Sequence, residues 1–142
     1  MSGTVENGVF YMNHLVTPQD VVSEYNHVHH AQIVSIFEKG RLALLEHIKC
    51  PQDGLVSEGY FLVVSRIEVQ FLREIILGEY LVTCEDIRTE GKRLDLKQRI
   101  VSQARGKDMA RADVTLMVVR RGVGRSVDIP GHLIDGLNPL KK

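Results

Sequence analysis

From His30 to Ile48 the apolar residues return at three- and four-residue intervals, and no other pattern constrains the fold as much. Ile33, Ile36, Phe37, Leu44, Leu45 and Ile48 make one stripe of a helix, and Val34 and Leu42 widen it. A stripe that broad predicts a helix covered on more than one side. Gly40 falls in mid-helix, where glycine costs roughly 1 kcal/mol against alanine. Its expected use is close packing against a sheet or a second subunit. Pro51 and Gly54 end the element, because proline cannot continue a helix.

Most of the remaining chain reads as strand. Met1 to Asn7 is small and polar and is expected to fray. Val9 to Met12 with Leu15 and Val16 predicts a short strand closed by Thr17-Pro18. After the helix, strands are predicted over Tyr60–Leu72, Tyr80–Arg88, Leu94–Ala104 and Met109–Arg120. Turns are expected at Ile75–Gly78, Glu90-Gly91-Lys92 and Arg105–Asp108, giving an antiparallel meander. The stretch after Gly122 is rich in glycine and proline and reads as loop and short turns. Strands grouped after a helix, not alternating with helices, predict an α+β class with a curved sheet around the helix. The reading is one domain over residues 1–142, with 1–7 and about 131–142 peripheral or flexible.

Composition excludes several functions. The formal net charge is zero, which argues against a general nucleic-acid binder. Cys50 and Cys84 fit neither a metal spacing nor a disulfide framework and suit a reducing compartment. No secretory pattern opens the sequence, and no apolar run reaches the ~20 residues that span a bilayer. The expected location is the cytoplasm, away from membranes.

Asn26-His27-Val28-His29-His30-Ala31 followed by Phe37-Glu38-Lys39-Gly40-Arg41 resembles the hot-dog-fold thioesterases of the 4-hydroxybenzoyl-CoA thioesterase type. That family's loop and helix run Asp-x-x-Gly-His-Val-Asn-Asn-Ala, then Phe-Glu-Glu-Ala-Arg, and the interval from histidine to phenylalanine matches without a gap. Val69 to Arg73, Leu77-Gly78-Glu79, Met117 to Arg120 and Ile129-Pro130 extend the resemblance over roughly Val16 to Pro130. It implies a hot-dog fold assembled into a homodimer or homotetramer. It places the active site at the dimer interface, between one subunit's helix N-terminus and the other's strands. The implied reaction is hydrolysis of an acyl-CoA or acyl-carrier-protein thioester to free acid and thiol. No cofactor is implied beyond the coenzyme A of the substrate.

The physical need is a polarised thioester carbonyl and an attacking water or carboxylate. Unpaired N–H groups at a helix N-terminus, here near His29 and His30, can stabilise the oxyanion. The family's aspartate position is occupied by Ser23 and its glycine by Asn26, a residue able to take positive φ. Glu24 is adjacent to Ser23 and Asp20 lies three residues before it, so either could replace the missing acid. Ser23 itself could orient a water. His27 matches the family histidine, as loop anchor or catalytic group. Glu38 is a second candidate acid, with pairing to Arg41 or Arg66 as the structural alternative. The histidines His14, His27, His29 and His30, without cysteine or a placed carboxylate, make a weak metal signal, and no metal is expected. Expected substrate contacts are Asn26, His29, Ile33 and Phe37, with Phe61 to Val64 along an acyl tunnel. Arg88, Lys92, Arg93, Arg121 and Arg125, at strand ends or in the tail, are candidates for the coenzyme A phosphates. A non-catalytic module that binds acyl thioesters or a partner protein is the alternative function; a hot-dog dehydratase or hydratase is a third.

Overall fold

The computed structural model describes residues 2–22, 24 and 26–141. Eight strands and three α-helices follow in the order β1 Gly3–Glu6, β2 Val9–Val16, β3 Val21–Val22, β4 His27–Val28, α1 His30–His47, α2 Gln52–Ser57, β5 Tyr60–Phe71, β6 Gly78–Glu90, β7 Arg93–Ser102, β8 Asp108–Arg120 and α3 Gly131–Leu137. Six strands form one antiparallel sheet in the order β1-β2-β6-β7-β8-β5, and β3 pairs with β4 as a separate small hairpin. The sheet packs on α1, which is the hot-dog arrangement and the α+β class expected from the sequence.

Alternation decides which face meets the helix. Leu94, Leu96, Gln98 and Ile100 of β7 point inward, as do Ala110, Ala112, Val114, Leu116 and Val118 of β8. On α1, Ile36 and Phe37 are fully buried against them. Each such side chain contributes roughly 1.5–3 kcal/mol by leaving water. The expected use of Gly40 is met on the sheet side: a Cβ there would lie 2.7 Å from Val82 Cγ1 and 3.1 Å from Gln98 Nε2. Helix and sheet approach so closely at this point that only hydrogen fits.

Four expectations are corrected. Residues 3–6 do not fray; they pair with residues 9–12 across an Asn7-Gly8 turn with both φ values positive, 53° and 75°. That dipeptide is a strong hairpin signal. The expected four-strand meander holds only for β6, β7 and β8, because β5 lies at the edge and pairs with β8, not β6. Pro51 stops α1 but also opens the short helix α2. The tail is not only loop: α3 and the turn after it bury Leu133, Leu137 and Leu140 against the core.

β5 is therefore an edge strand with one side unpaired by this chain. Val63 and Val64 near its middle are 46% and 40% exposed. Two recesses lie at its two ends, and they hold His27, His29, His30, Ile33 and Glu38 of the expected site residues.

Candidate active site at the two ends of the edge strand

The first recess is built on the N-terminus of α1. The β3–β4 hairpin leads into it. Ser23 lies outside the described residues. Glu24 is exposed at the tip and does not line the recess. Asn26 takes φ 57°, so it does the conformational work of the family glycine. The Val28 N–H donates to the Ile75 carbonyl at 2.8 Å, tying the hairpin to the loop after β5.

His29 caps the helix. Its Nδ1 accepts from the Ala31 N–H at 3.2 Å, and its carbonyl accepts from the Gln32 and Ile33 N–H groups. The backbone N–H of His30 finds no acceptor among the described residues. It is a donor at the positive end of an eighteen-residue helix. The rings of His29 and His30 lie 4.0 Å apart, and Phe71 stands edge-on to His30 at 6.1 Å. His27, His29, His30 and Ile33 face Phe71, Leu72, Arg73, Glu74 and Ile75 across a cleft of about 340 Å³. Glu74 places Oε1 3.9 Å from His27 Nδ1. Neither Arg73 nor Glu74 was expected from the sequence. The available signal was their place in Phe71-Leu72-Arg73-Glu74, just after a strand whose last residue touches a cleft histidine.

The second recess lies at the start of β5. It is a cavity of about 130 Å³ between α1, α2 and the sheet. Phe61, Leu62 and Val64 line it, as expected of an acyl tunnel, together with leucines of α1, β7 and β8. Phe37 lines neither recess, because it is fully buried beneath the helix. Glu38 and Arg41 are the charged groups in the lining. Glu38 is exposed, not a buried partner of Arg41 or Arg66 as the structural alternative required. Arg41 is 8% exposed and donates from Nη1 to Gln98 Oε1 at 3.0 Å. Burial holds its guanidinium below the usual arginine range, opposed in part by Glu38.

The expected phosphate contacts divide differently. Arg93 pairs with Asp95 at 2.7 Å and Arg88 with Asp86 at 3.4 Å, both on the sheet face opposite α1. Arg125 is exposed in the loop after β8. One of the candidates, Arg121, and its neighbour Arg120 stand closer to the recess. Arg120 and Arg121 lie over Tyr60 and Phe61 of the cavity wall, 4.9 and 5.6 Å from the ring centres.

Among the described residues, no group of three or more histidine, cysteine or acidic side chains is arranged to hold a metal ion. No helix is long and apolar enough to cross a membrane.

A curved antiparallel sheet packed on one long helix defines the fold as a hot-dog fold. Residues 16–137 match the thioesterase-like superfamily, and the chain belongs to it. A search of curated proteins finds no sequence match. Among solved structures, a 1,4-dihydroxy-2-naphthoyl-CoA thioesterase from Synechocystis is similar at 15% identity and TM-score 0.84, over 92% of this chain and 96% of that one. A Staphylococcus aureus protein in complex with CoA aligns at 21% identity and TM-score 0.81, over 93% and 83%. A thioesterase from Thermus thermophilus, complexed with coenzyme A and zinc, aligns at 23% and TM-score 0.76, over 94% and 95%. At these identities the likeness is one of fold.

Proposed function

We propose that the protein hydrolyses an acyl-CoA thioester in a site completed by a second copy of the chain. The observation that carries this reading is the placement of the two recesses. The cleft sits at the Phe71 end of β5 and the cavity at its Tyr60 end. Antiparallel pairing of the free β5 edge with its copy exchanges those ends. Each helix N-terminus then meets the partner's apolar cavity. Arg66 and Glu68 lie on one face of β5, so the same two-fold sets opposite charges near each other.

In the composite site the thioester carbonyl points at the His30 N–H, where the helix dipole stabilises the developing oxyanion. The acyl group enters the partner's cavity. His27 takes a proton from a water, which attacks the carbonyl carbon. Glu74, with Oε1 3.9 Å from His27 Nδ1, helps to orient the imidazole. The tetrahedral intermediate then collapses and expels the coenzyme A thiolate, which receives that proton from His27. Arg120 and Arg121 at the cavity mouth replace Arg88 and Arg93 as the groups that meet the phosphates. Glu38 favours a second reading, since it lines the cavity and would face the partner's helix end as the acid.

The test is thiol release from a panel of aliphatic and aromatic acyl-CoAs. His27→Gln is expected to lower kcat by about 10²–10⁴-fold, the usual worth of a general base. A larger loss in Glu38→Gln would move the chemistry onto the helix. No turnover of any acyl-CoA at high enzyme concentration would refute hydrolysis and leave the binding module. An acyl-carrier-protein substrate would show as turnover only with the carrier attached.

A further inference from the structure

Arg41 is out of place in its surroundings. Apart from Glu38 and Gln52, its neighbours around the cavity are leucines, valines and aromatic rings, and its hydrogen-bond partner is a neutral amide. That amide cannot turn away. Gln98 Nε2 donates to the Phe37 carbonyl at 3.0 Å and to Cys84 Sγ at 3.5 Å, which fixes Oε1 toward Arg41. The missing Cβ at Gly40 lets the helix sit down on this bridge. Cys84 offers no compensating charge, because burial pushes its thiol up to about 12. A guanidinium has five N–H donors in a planar fork. One is used by Gln98, and none of its nitrogens is both sealed from solvent and unpartnered. The remaining donors keep some exposure, and Arg41 is part of the cavity lining.

Burying a guanidinium against leucine is costly unless something accepts its hydrogen bonds. Glu38, one turn earlier and exposed, offsets the charge only from a distance. The cavity volume of about 130 Å³ also limits its guest. An apolar cavity of about 150 Å³ takes a benzene ring, so the space here suits roughly six heavy atoms.

Resting on the thioesterase reading above, we infer that Arg41 selects a compact acyl group of about six heavy atoms carrying a distal oxygen acceptor, carboxylate or hydroxyl, over a plain hydrocarbon chain of equal length. A site built to hydrogen-bond a substrate oxygen rejects the analogue lacking it, because its own polar group is then left unpaired.

The experiment compares kcat/KM for hexanoyl-CoA, 6-hydroxyhexanoyl-CoA and adipoyl-CoA on the wild-type protein. At least one oxygenated substrate is expected to exceed hexanoyl-CoA by about tenfold or more. Preference for adipoyl-CoA assigns the oxygen as a carboxylate, and preference for the hydroxy compound as a neutral acceptor. Equal rates, or hexanoyl-CoA ahead of both, overturn the inference. Arg41→Met is expected to bring the ratio to about one. Loss of all three rates in parallel would mark Arg41 as structural. If Arg41→Met fails to fold, Arg41→Met/Gln98→Leu removes both partners and leaves no unpaired amide. Calorimetric binding of the non-hydrolysable thioether analogues reads the same ranking without turnover. Failure of hydrolysis alone then sinks the thioesterase reading, and loss of the ranking alone sinks this one.

Discussion

The two ends of β5 are built in opposite ways. At the Phe71 end the cleft is open and polar, with three histidines, Arg73 and Glu74 around a helix terminus. At the Tyr60 end the cavity is about 130 Å³ and largely aliphatic, with charge confined to Glu38 and Arg41. The first can polarise a carbonyl but has little to enclose an acyl chain. The second can enclose one, but the only helix that begins at it among the described residues is the six-residue α2. Each supplies what the other lacks, and one strand separates them. On the proposed function, a single chain carries two half-sites, and the exposed β5 edge joins them.

The strongest way to break the comparison is to break that edge. Val63→Asp places a charge on the exposed part of β5, at a residue that already meets solvent in the single chain and lies outside the cavity lining. The expected result is a folded monomer by light scattering, with activity down by about 100-fold or more because the half-sites no longer meet. A monomer that stays fully active would show that one end suffices.

Smaller changes separate the ends. Glu74→Gln is expected to lower kcat by about tenfold and to alter the pH–rate profile, since it acts through the His27 ring. Glu24→Gln, at the hairpin tip, should change kcat by less than about threefold. The reverse order would restore the loop acid to the role that the family assigns it. Gly40→Ala should lower stability by about 1–3 kcal/mol through overpacking against Val82, despite a helix-propensity gain of roughly 1 kcal/mol. Denaturant titration measures it, and a stabilised variant would show that the helix and sheet can part without cost.

The smallest effect lies at neither end. His14 on β2 has a buried Nε2 without a partner among the described residues. Its pKa is lowered first by burial and then by Lys39, against Asp20. The folded state therefore favours neutral His14. Its contribution is present above the unfolded value near 6.5 and is lost as pH falls below it, where the unfolded chain binds the proton more readily. His14→Gln should flatten the stability profile in that window while leaving the pH–rate profile in place.

Much of the fold was legible because periodicity reports burial. The helix stripe, the alternation of β7 and β8, and the His-Val to Phe-Glu interval all survive in the structure. The failures have physical reasons. β5 pairs with β8 across the sheet, and a non-local pairing leaves no local signature. Leu133, Leu137 and Leu140 hide among glycines and prolines, yet tertiary packing holds them in a helix and turn. Asp86, with φ 51° at a bulge, shifts β6 so that Ile87 returns inward, which strict alternation does not anticipate. Of the site, the histidine loop was legible by its match to the family. Glu74, Arg73 and the cavity were not, since chain reversal after β5 and the approach of α2 bring them into place.

Subunit mixing tests the central claim most directly. His27→Gln disables the cleft, and Leu116→Trp fills the cavity. Each homodimer alone should be nearly inactive. Unfolded together and refolded at equal amounts, they form heterodimers with one intact composite site, and activity should return to about a quarter of wild type. No recovery, with heterodimers confirmed by native mass spectrometry, would place the whole site within one chain and contradict the account.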